Sequence, residues 1–211
     1  MLLNIANNCK GKLMIEIYTQ NIDNIWFGIA CTEQRTEQKI ITSSFGASQQ
    51  TTLNSILSNT PFNVPFQVFL EPSTFAKNTL ATLKRIYDGK DANITFSLAT
   101  NHLPAYTKKV LKTTSTIPLG YVTSYGSIAK AVGGGPRAVG NIMASNPFAP
   151  IVPCHRVVKS DFTLGGYGGG LKAKIELLGK EKRGFSSSRE IEVAGGLLQV
   201  FPVEYVLRNL A

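Results

Sequence analysis

The signals for strands and helices change character near Pro104, and this change constrains the fold more than any other feature of the sequence. Before Pro104, runs of β-branched and aromatic residues alternate with turn residues, as in segments 13–18 and 25–30, and such runs are typical of strands. After it, short helical patterns are interrupted by glycine-rich breaks. The sequence therefore predicts an α+β protein built from two different parts.

The first part is expected to be a small N-terminal α/β domain over residues 1–100. Residues 21–24 lie between its first two strands as a turn, which indicates a hairpin. Apolar residues recur at helical spacing from Leu80 to Tyr87, and Gly89 ends that helix. The predicted strands are 13–18, 25–30, 39–42 and 94–98, and the predicted helices are 51–58 and 73–87.

The second part, residues 101–211, is expected to be a mostly helical domain. Its clearest pattern is a pair of short helices, 126–132 and 137–145, joined by the glycine-rich break 133–136. Ser124 is placed to cap the first helix of the pair. Two short helices joined by a glycine-containing turn are the helix-turn-helix pattern of many DNA-binding proteins, so we expect this motif here.

The segments that flank this helix pair are less regular. A helix with a basic outer face is predicted at 106–112, and residues 122–125 are predicted to be a short link. An extended tail is expected from about residue 184. A hairpin around Gly195 and Gly196 would either cover the basic face or extend the core.

The net charge indicates a polyanionic partner. The chain of 211 residues has 22 Lys and Arg against 13 Asp and Glu, giving a formal net charge of +9. The acidic residues between positions 105 and 189 are only Asp161, Glu176 and Glu181. Such an excess suits nucleic acid. The sequence has no apolar run long enough to span a membrane and no secretory signal, so a cytoplasmic location, or a nuclear one in a eukaryote, is expected.

The segment 151–158, Ile-Val-Pro-Cys-His-Arg-Val-Val, places Cys154 beside His155 and Arg156. A thiolate is a strong nucleophile, and a nearby His or Arg lowers its pKa. Pro153 favours an extended approach, so we expect a strand to deliver the cysteine to a turn. A purely structural role stays open, because adjacent side chains on a strand face opposite ways. His155 can act on Cys154 only if the backbone turns or a water bridges them.

The stretch after the cysteine contains a glycine-rich loop, 165–170, around Tyr167. This loop would let a ligand lie against the backbone, but it lacks the Lys-Ser/Thr ending of a nucleotide-binding loop. A helix is predicted over 171–183, with Glu181 in its last turn. An anion there opposes the helix dipole, and a surface ion pair is one explanation for it. The predicted apolar stripe of this helix consists of Leu171, Ile175 and Leu178.

The cysteines give little evidence for a metal or a disulfide framework. The three cysteines are widely spaced and odd in number, which favours a reducing compartment. The spacing of Cys9, Cys31 and His102 matches no zinc pattern, so no metal site is expected.

Several of these segments together resemble one family. Segment 153–157, preceded by Asn146-Pro147 and by Arg137-Ala-Val-Gly140, resembles the O6-alkylguanine-DNA alkyltransferases, also called methylated-DNA–protein-cysteine methyltransferases. The similarity covers about residues 106–181 in order and in nearly all spacings. It implies a ribonuclease H-like N-terminal domain and direct-reversal DNA repair. The implied reaction is irreversible, stoichiometric transfer of the alkyl group from O6-alkylguanine, with O4-alkylthymine as a further candidate substrate, to Cys154 without a cofactor.

The resemblance also implies roles for individual residues. His155 would take the thiol proton through a water, with Glu181 orienting the imidazole, and Arg137 would enter the base stack in place of the flipped nucleotide. The implied catalytic residues are Cys154, His155, Glu181, Tyr125 and Lys174. The implied substrate-pocket residues are Met143, Asn146, Val157, Tyr167 and Gly168. The implied DNA-binding residues are Arg137, Ala138, Gly140 and Ser124.

The implied partner is double-stranded DNA containing O6-alkylguanine, contacted in the minor groove with the lesion base flipped out. A monomer without membrane contact is expected. The sequence departs from the family at Gly168, where Ser is common, and at Ala144, where Arg is common. Two alternatives stay open: a lesion-binding relative without transfer activity, which typically has Trp at the acceptor position, and a Cys-His hydrolase unrelated to DNA.

Overall fold

A computed structural model of the protein describes residues 14–34 and 37–210. Its first half contains the strands β1 (Ile15–Ile22), β2 (Ile25–Gln34), β3 (Glu37–Gly46), β4 (Phe66–Phe69) and β5 (Ser97–Leu98). They form one sheet with the order β4-β1-β2-β3-β5. The first three strands are antiparallel neighbours, whereas β4 is parallel to β1 and β5 is parallel to β3.

The predicted hairpin between β1 and β2 is confirmed. Asp23 and Asn24 have φ values of 52° and 63°, as a two-residue type I′ turn requires, and short polar residues tolerate this conformation well. The predicted strand at 94–98 is confirmed only at Ser97–Leu98.

Two helices, α1 (Gln49–Ser58) and α2 (Thr74–Tyr87), cover the two faces of this sheet. Alternate residues of a strand face opposite sides, so Ala30 packs with the α1 residues while Ile29 packs with those of α2. The Ser73 side chain accepts a hydrogen bond from the Ala76 backbone N–H and caps α2. Both helices were predicted from the sequence.

The second half contains a second sheet as well as helices. The helices are α3 (Ala105–Ser115), α4 (Tyr125–Val132), α5 (Pro136–Ala144), α6 (Leu171–Lys180) and α7 (Glu204–Arg208), and the strands are β6 (Tyr121–Ser124), β7 (Val157–Val158), β8 (Arg189–Val193) and β9 (Gly196–Pro202). The strands have the order β7-β6-β9-β8. The prediction of a mostly helical part missed this sheet, and the predicted link at 122–125 is largely the buried strand β6.

The tail extends the core. The predicted hairpin is confirmed as β8 and β9, and β9 pairs with β6 in the second sheet. Leu198 and Val200 of β9 are fully buried. Because they pack with the central core residues, the tail is a structural part of this half of the protein.

The described residues contain no helix with the length and hydropathy needed to cross a membrane. They also contain no group of three or more His, Cys, Asp or Glu that could hold a metal ion. Of the sequence candidates for zinc, Cys31 is buried in the first sheet, His102 is exposed, and Cys9 lies outside the described residues.

Candidate active site

A single 3-10 turn, Cys154–Arg156, carries the candidate nucleophile. Strand β7 follows this turn and pairs in parallel with β6. The expectation that a strand delivers the cysteine was therefore wrong, because the strand leaves the site and turns precede it. Since the backbone turns at Cys154, the objection based on opposite faces of a strand does not apply. The cysteine is buried, with 5% of its surface exposed.

The Asn146 side chain forms hydrogen bonds with the backbone of the segment that leads to Cys154. Its side-chain Nδ2 donates to the Val152 carbonyl at 2.9 Å and to Cys154 Sγ at 3.1 Å. Its Oδ1 accepts from the Phe148 backbone N–H at 3.0 Å. One side chain therefore fixes both ends of the segment that leads to Cys154 and also touches the sulfur.

The first sheet contacts the same segment from the other side. Thr42 Oγ1 donates to the Pro147 carbonyl at 2.6 Å, and the Ser43 backbone N–H donates to that carbonyl at 2.9 Å. Ser43 Oγ donates to the Ala149 carbonyl at 2.9 Å. Sequence reasoning missed Thr42 and Ser43, because nothing in a strand pattern indicates a partner more than one hundred residues away.

His155 and Arg156 share one buried carboxylate. His155 Nε2 lies 2.8 Å from Glu181 Oε1. Arg156 Nε donates to Glu181 Oε2 at 2.9 Å and its Nη2 donates to Oε1 at 2.9 Å, while Nη1 donates to the Ile117 carbonyl at 2.6 Å. Glu181 is fully buried, so the surface ion pair is the wrong explanation. Sequence reasoning gave Arg156 no such role.

The charge of Glu181 fixes the protonation of His155. Burial alone would raise the pKa of Glu181, but His155 and Arg156 outweigh burial and bring it to about 2. An ionised carboxylate cannot donate, so Nε2 of His155 must carry the proton that it shares with Glu181. Burial lowers the pKa of His155 despite Glu181. The imidazole is therefore neutral near pH 7, with a lone pair on the buried Nδ1, which has no protein partner among the described residues.

The cysteine itself rests as a thiol. Burial raises its pKa, although the Asn146 side chain and the charge of Lys174 act in the opposite direction. The expectation that His155 and Arg156 lower this pKa was wrong, because Arg156 is engaged by Glu181 and burial is the largest influence. A base is therefore needed to form the thiolate.

Lys174 is buried in the centre of the site, and its placement corrects the predicted face of α6. Leu171 and Ile175 are exposed, whereas the buried face consists of Lys174, Leu177 and Leu178. Lys174 Nζ donates to the carbonyls of Val157, Leu164 and Gly166. Burial lowers the pKa of Lys174 to about 8. The ammonium ties the glycine-rich loop to the strand after the cysteine.

Two adjoining cavities lie at the site, and one of them reaches the cysteine. One has a volume of about 460 Å³ and is lined by Cys154 and by residues of both halves of the chain. The other, of about 470 Å³, is lined by Tyr125 and Arg137. Both share the walls Met143, Ala144, Tyr167 and Gly168. Of the sequence-predicted pocket residues, Met143, Tyr167 and Gly168 line both cavities and Asn146 contacts the sulfur. Val157 is buried and lines neither cavity, and its carbonyl accepts from Lys174.

The predicted DNA-binding residues lie on and before α5. Arg137 and Ala138 are exposed and Gly140 is partly exposed, while Val139 and Met143 are buried. The outer face of this helix therefore contains the small residues Ala138 and Gly140 beside Arg137 and Asn141. The Ser124 side chain accepts from the Ser127 backbone N–H at 2.9 Å and caps α4 as predicted.

The sequence matches a known domain family. Residues 105–183 match the 6-O-methylguanine DNA methyltransferase, DNA binding domain. A methylated-DNA–protein-cysteine methyltransferase of Pyrobaculum aerophilum is 58% identical over 65 residues, which is 31% of this chain and 44% of that protein. The protein of the same description from Methanothermobacter thermautotrophicus is 36% identical over 111 residues, 52% of this chain and 63% of that protein. The matched segments thus span about half the length of these relatives.

Solved structures are similar over more of the chain. The O6-methylguanine-DNA methyltransferase of the hyperthermophilic archaeon Pyrococcus kodakaraensis has a TM-score of 0.64 and 26% identity, covering 81% of this chain and 100% of that chain. The Mycobacterium tuberculosis OGT in complex with DNA has a TM-score of 0.57 and 26% identity, covering 79% of this chain and 92% of that chain.

Proposed function

Because residues 105–183 match the 6-O-methylguanine DNA methyltransferase DNA-binding domain, we propose that this protein repairs alkylated DNA by direct reversal. Cys154 takes the alkyl group from O6 of guanine, and each molecule acts once because a thioether is stable. The observation that carries the proposal is Cys154 in the wall of a cavity, followed directly by a histidine that is hydrogen-bonded to a buried carboxylate.

The protonation states support an acid–base step before transfer. The thiol proton passes through a water to Nδ1 of His155, while Glu181 accepts a hydrogen bond from Nε2, the other ring nitrogen. The Sγ–carbon bond forms as the carbon–O6 bond breaks, and the proton lost by the thiol is returned to the leaving guanine. The net reaction exchanges an alkyl group for a proton, so no cofactor is needed.

The pocket residues have defined tasks in this proposal. Tyr125 contacts N3 of the leaving guanine, and Met143 and Tyr167 enclose the base. The charge of Lys174 lies near the sulfur and favours the thiolate. The carbonyl of Cys154 receives the guanine amino group together with the second lone pair of the Val157 carbonyl.

DNA is bound as a duplex with the lesion base flipped out of the minor groove. In this arrangement α4 and α5 form a helix-turn-helix, α5 enters the groove along its small residues Ala138 and Gly140, and Arg137 fills the place of the flipped nucleotide. The proposal treats residues 1–100 as a ribonuclease H-like domain and residues 101–211 as the DNA-binding and transfer domain. The protein acts as a monomer in the compartment that holds the DNA, the cytoplasm or a nucleus.

The first experiment is an intact-mass measurement after the protein is mixed with a duplex containing one O6-methylguanine, followed by peptide mapping. The expected result is one added methyl group on Cys154, saturating at one per molecule. Continued turnover without an adduct would favour a Cys-His hydrolase, and lesion binding without any adduct would favour a damage sensor. C154A is the control and should bind DNA without acquiring the methyl group.

A further inference from the structure

The cavity at Cys154 is much larger than a methyl group requires. Its volume is about 460 Å³, whereas one water molecule occupies about 30 Å³ of liquid volume. The cavity extends from Cys154 to the end of β3 and the first turns of α1, where the exposed residues Ala47 and Thr51 form its rim. A substituent longer than methyl therefore has space that leads toward solvent.

The two cavities would hold different parts of the substrate, the base in one and the O6 substituent in the other. The cavity that contains Tyr125 and Arg137 does not include Cys154, and only the other cavity reaches the sulfur. If the guanine lies beside Tyr125, as proposed above, its O6 substituent must reach the neighbouring cavity that contains Cys154, which shares four lining residues with the first. The transferred carbon then lies at the junction, and the remainder of the alkyl group extends toward β3.

Gly168 lines both cavities and adds no side chain to the wall that they share. A Cβ at this position would meet only the Ala144 carbonyl oxygen, at 3.8 Å. A side chain here would therefore be accommodated, but it would occupy the space that an alkyl chain crosses. The absence of a side chain at Gly168 thus favours transfer of large O6 substituents.

The far wall of the cavity is polar. Ser44 Oγ donates to Ser55 Oγ at 2.8 Å. The Ser55 hydroxyl hydrogen can therefore donate to a ligand, and the Ser44 oxygen can accept from one. Two other hydroxyls of this wall are engaged with backbone carbonyls: Ser43 donates to Ala149 and Thr51 donates to Ser48. Among these hydroxyls, the Ser44–Ser55 pair therefore offers the one hydrogen that is not already donated to the protein.

We propose, on the basis of the proposed function, that the Ser44–Ser55 pair binds the terminal hydroxyl of O6-hydroxyalkyl groups, so that this protein transfers them faster than alkyl groups of the same length. Transfer follows the same chemistry for every group: Sγ bonds to the first carbon, the bond to O6 breaks, and the thiol proton goes to guanine. The hydroxyl end takes no part in bond exchange and acts only by binding.

The test compares single-turnover rate constants for duplexes that contain O6-methylguanine, O6-butylguanine or O6-(3-hydroxypropyl)guanine. The last two substituents have the same number of non-hydrogen atoms and differ in the terminal hydroxyl. We expect hydroxypropyl to be transferred about three- to tenfold faster than butyl, the effect of one hydrogen bond. The double variant S44A/S55A should remove this difference, since it deletes both hydroxyls of the pair without adding bulk.

S55L fills the cavity and should lower the ratio of the butyl rate to the methyl rate by about tenfold. Thermal unfolding of S44A/S55A and S55L verifies that both variants are folded. Equal rates for butyl and hydroxypropyl in the unaltered protein, or an S55L variant that slows all three substrates by the same factor, would overturn this proposal while methyl transfer continues. Absence of methyl transfer would instead refute the proposed function, and this proposal with it.

Discussion

Among single residues, Glu181 binds two side chains that have different tasks. Arg156 keeps the carboxylate ionised, and the ionised carboxylate fixes the tautomer of His155. An amide at position 181 could donate to the ring and leave the proton on Nδ1, where a base is needed. We therefore expect E181Q to lower the rate of transfer from free O6-benzylguanine by on the order of 10²-fold.

The free base is the suitable substrate for E181Q, because its reaction does not depend on DNA binding. E176Q is the matched control: Glu176 lies on α6, the helix that ends directly before Glu181, and pairs with Tyr87 and Lys180. An unchanged rate in E181Q would show that the carboxylate does not prepare His155 as a base.

The same carboxylate should make the protein sensitive to acid. The pKa of Glu181 falls from 4.5 to about 2 on folding, so its contribution is fully present above pH 4.5 and is lost as the pH falls toward 2. The shift corresponds to about 3 kcal/mol. Urea unfolding between pH 7 and pH 3 should show a steeper loss of stability for the unaltered protein than for E181Q. Parallel profiles would contradict the assignment.

Among the strands and helices, the packing of the tail strand β9 against the core can be tested by mutation. Leu197 and Leu198 are neighbours on this strand, but Leu197 is 58% exposed and Leu198 is fully buried. We expect L198A to lower the free energy of unfolding by about 2–5 kcal/mol, the usual cost of removing a buried leucine side chain. L197A is the control and should change it little. Similar losses in both variants would mean that β9 does not pack as described.

Strand β3 should influence transfer through the segment that leads to Cys154. T42V removes the hydroxyl that donates to the Pro147 carbonyl and keeps the shape of the side chain. Because this segment carries Asn146, we expect slower transfer and an altered pH dependence of thiol alkylation by iodoacetamide. T52V deletes an equally buried hydroxyl that contacts the Trp26 carbonyl instead and should leave both unchanged. The same effect in both variants would indicate a general loss of stability.

The sequence predicted the elements that are stabilised by residues close to them in the chain, and it missed those whose partners lie far away. Helices α2 and α4 are capped by Ser73 and Ser124 within their own first turns, so local patterns were sufficient. Strand β6 is held by β9 from the tail, and no local signal indicates that pairing. The stripe on α6 was misread because Lys174 is buried on carbonyls of a loop, an environment that a hydrophobic pattern does not represent.

The residues of the candidate site were predicted or missed for the same reason. Spacing along the chain brought out Cys154, His155 and Glu181 through the family resemblance. Arg156 was noticed only as a charge near the thiol, since its bond to Glu181 spans 25 residues. Thr42 was missed altogether because its partner lies 105 residues away.

For the whole molecule, the net charge of +9 provides a general attraction to DNA that many exposed cations share. Arg137 is proposed to do more, since it lies at the start of α5 and lines the cavity next to Tyr125. A residue that fills the space of a flipped nucleotide matters only when the lesion is in a duplex. R137A should therefore lower transfer from a duplex by at least about tenfold and leave the reaction with free O6-benzylguanine nearly unchanged.

The control for R137A separates position from charge. K77A removes the same charge from an exposed site on α2, away from both cavities, so both variants lose equal long-range attraction. If attraction alone governed repair, the two variants would lose equal activity on duplex DNA, and added salt would reduce both alike. A larger loss in R137A that persists at high salt, with normal reaction of the free base, would place its effect at base extrusion.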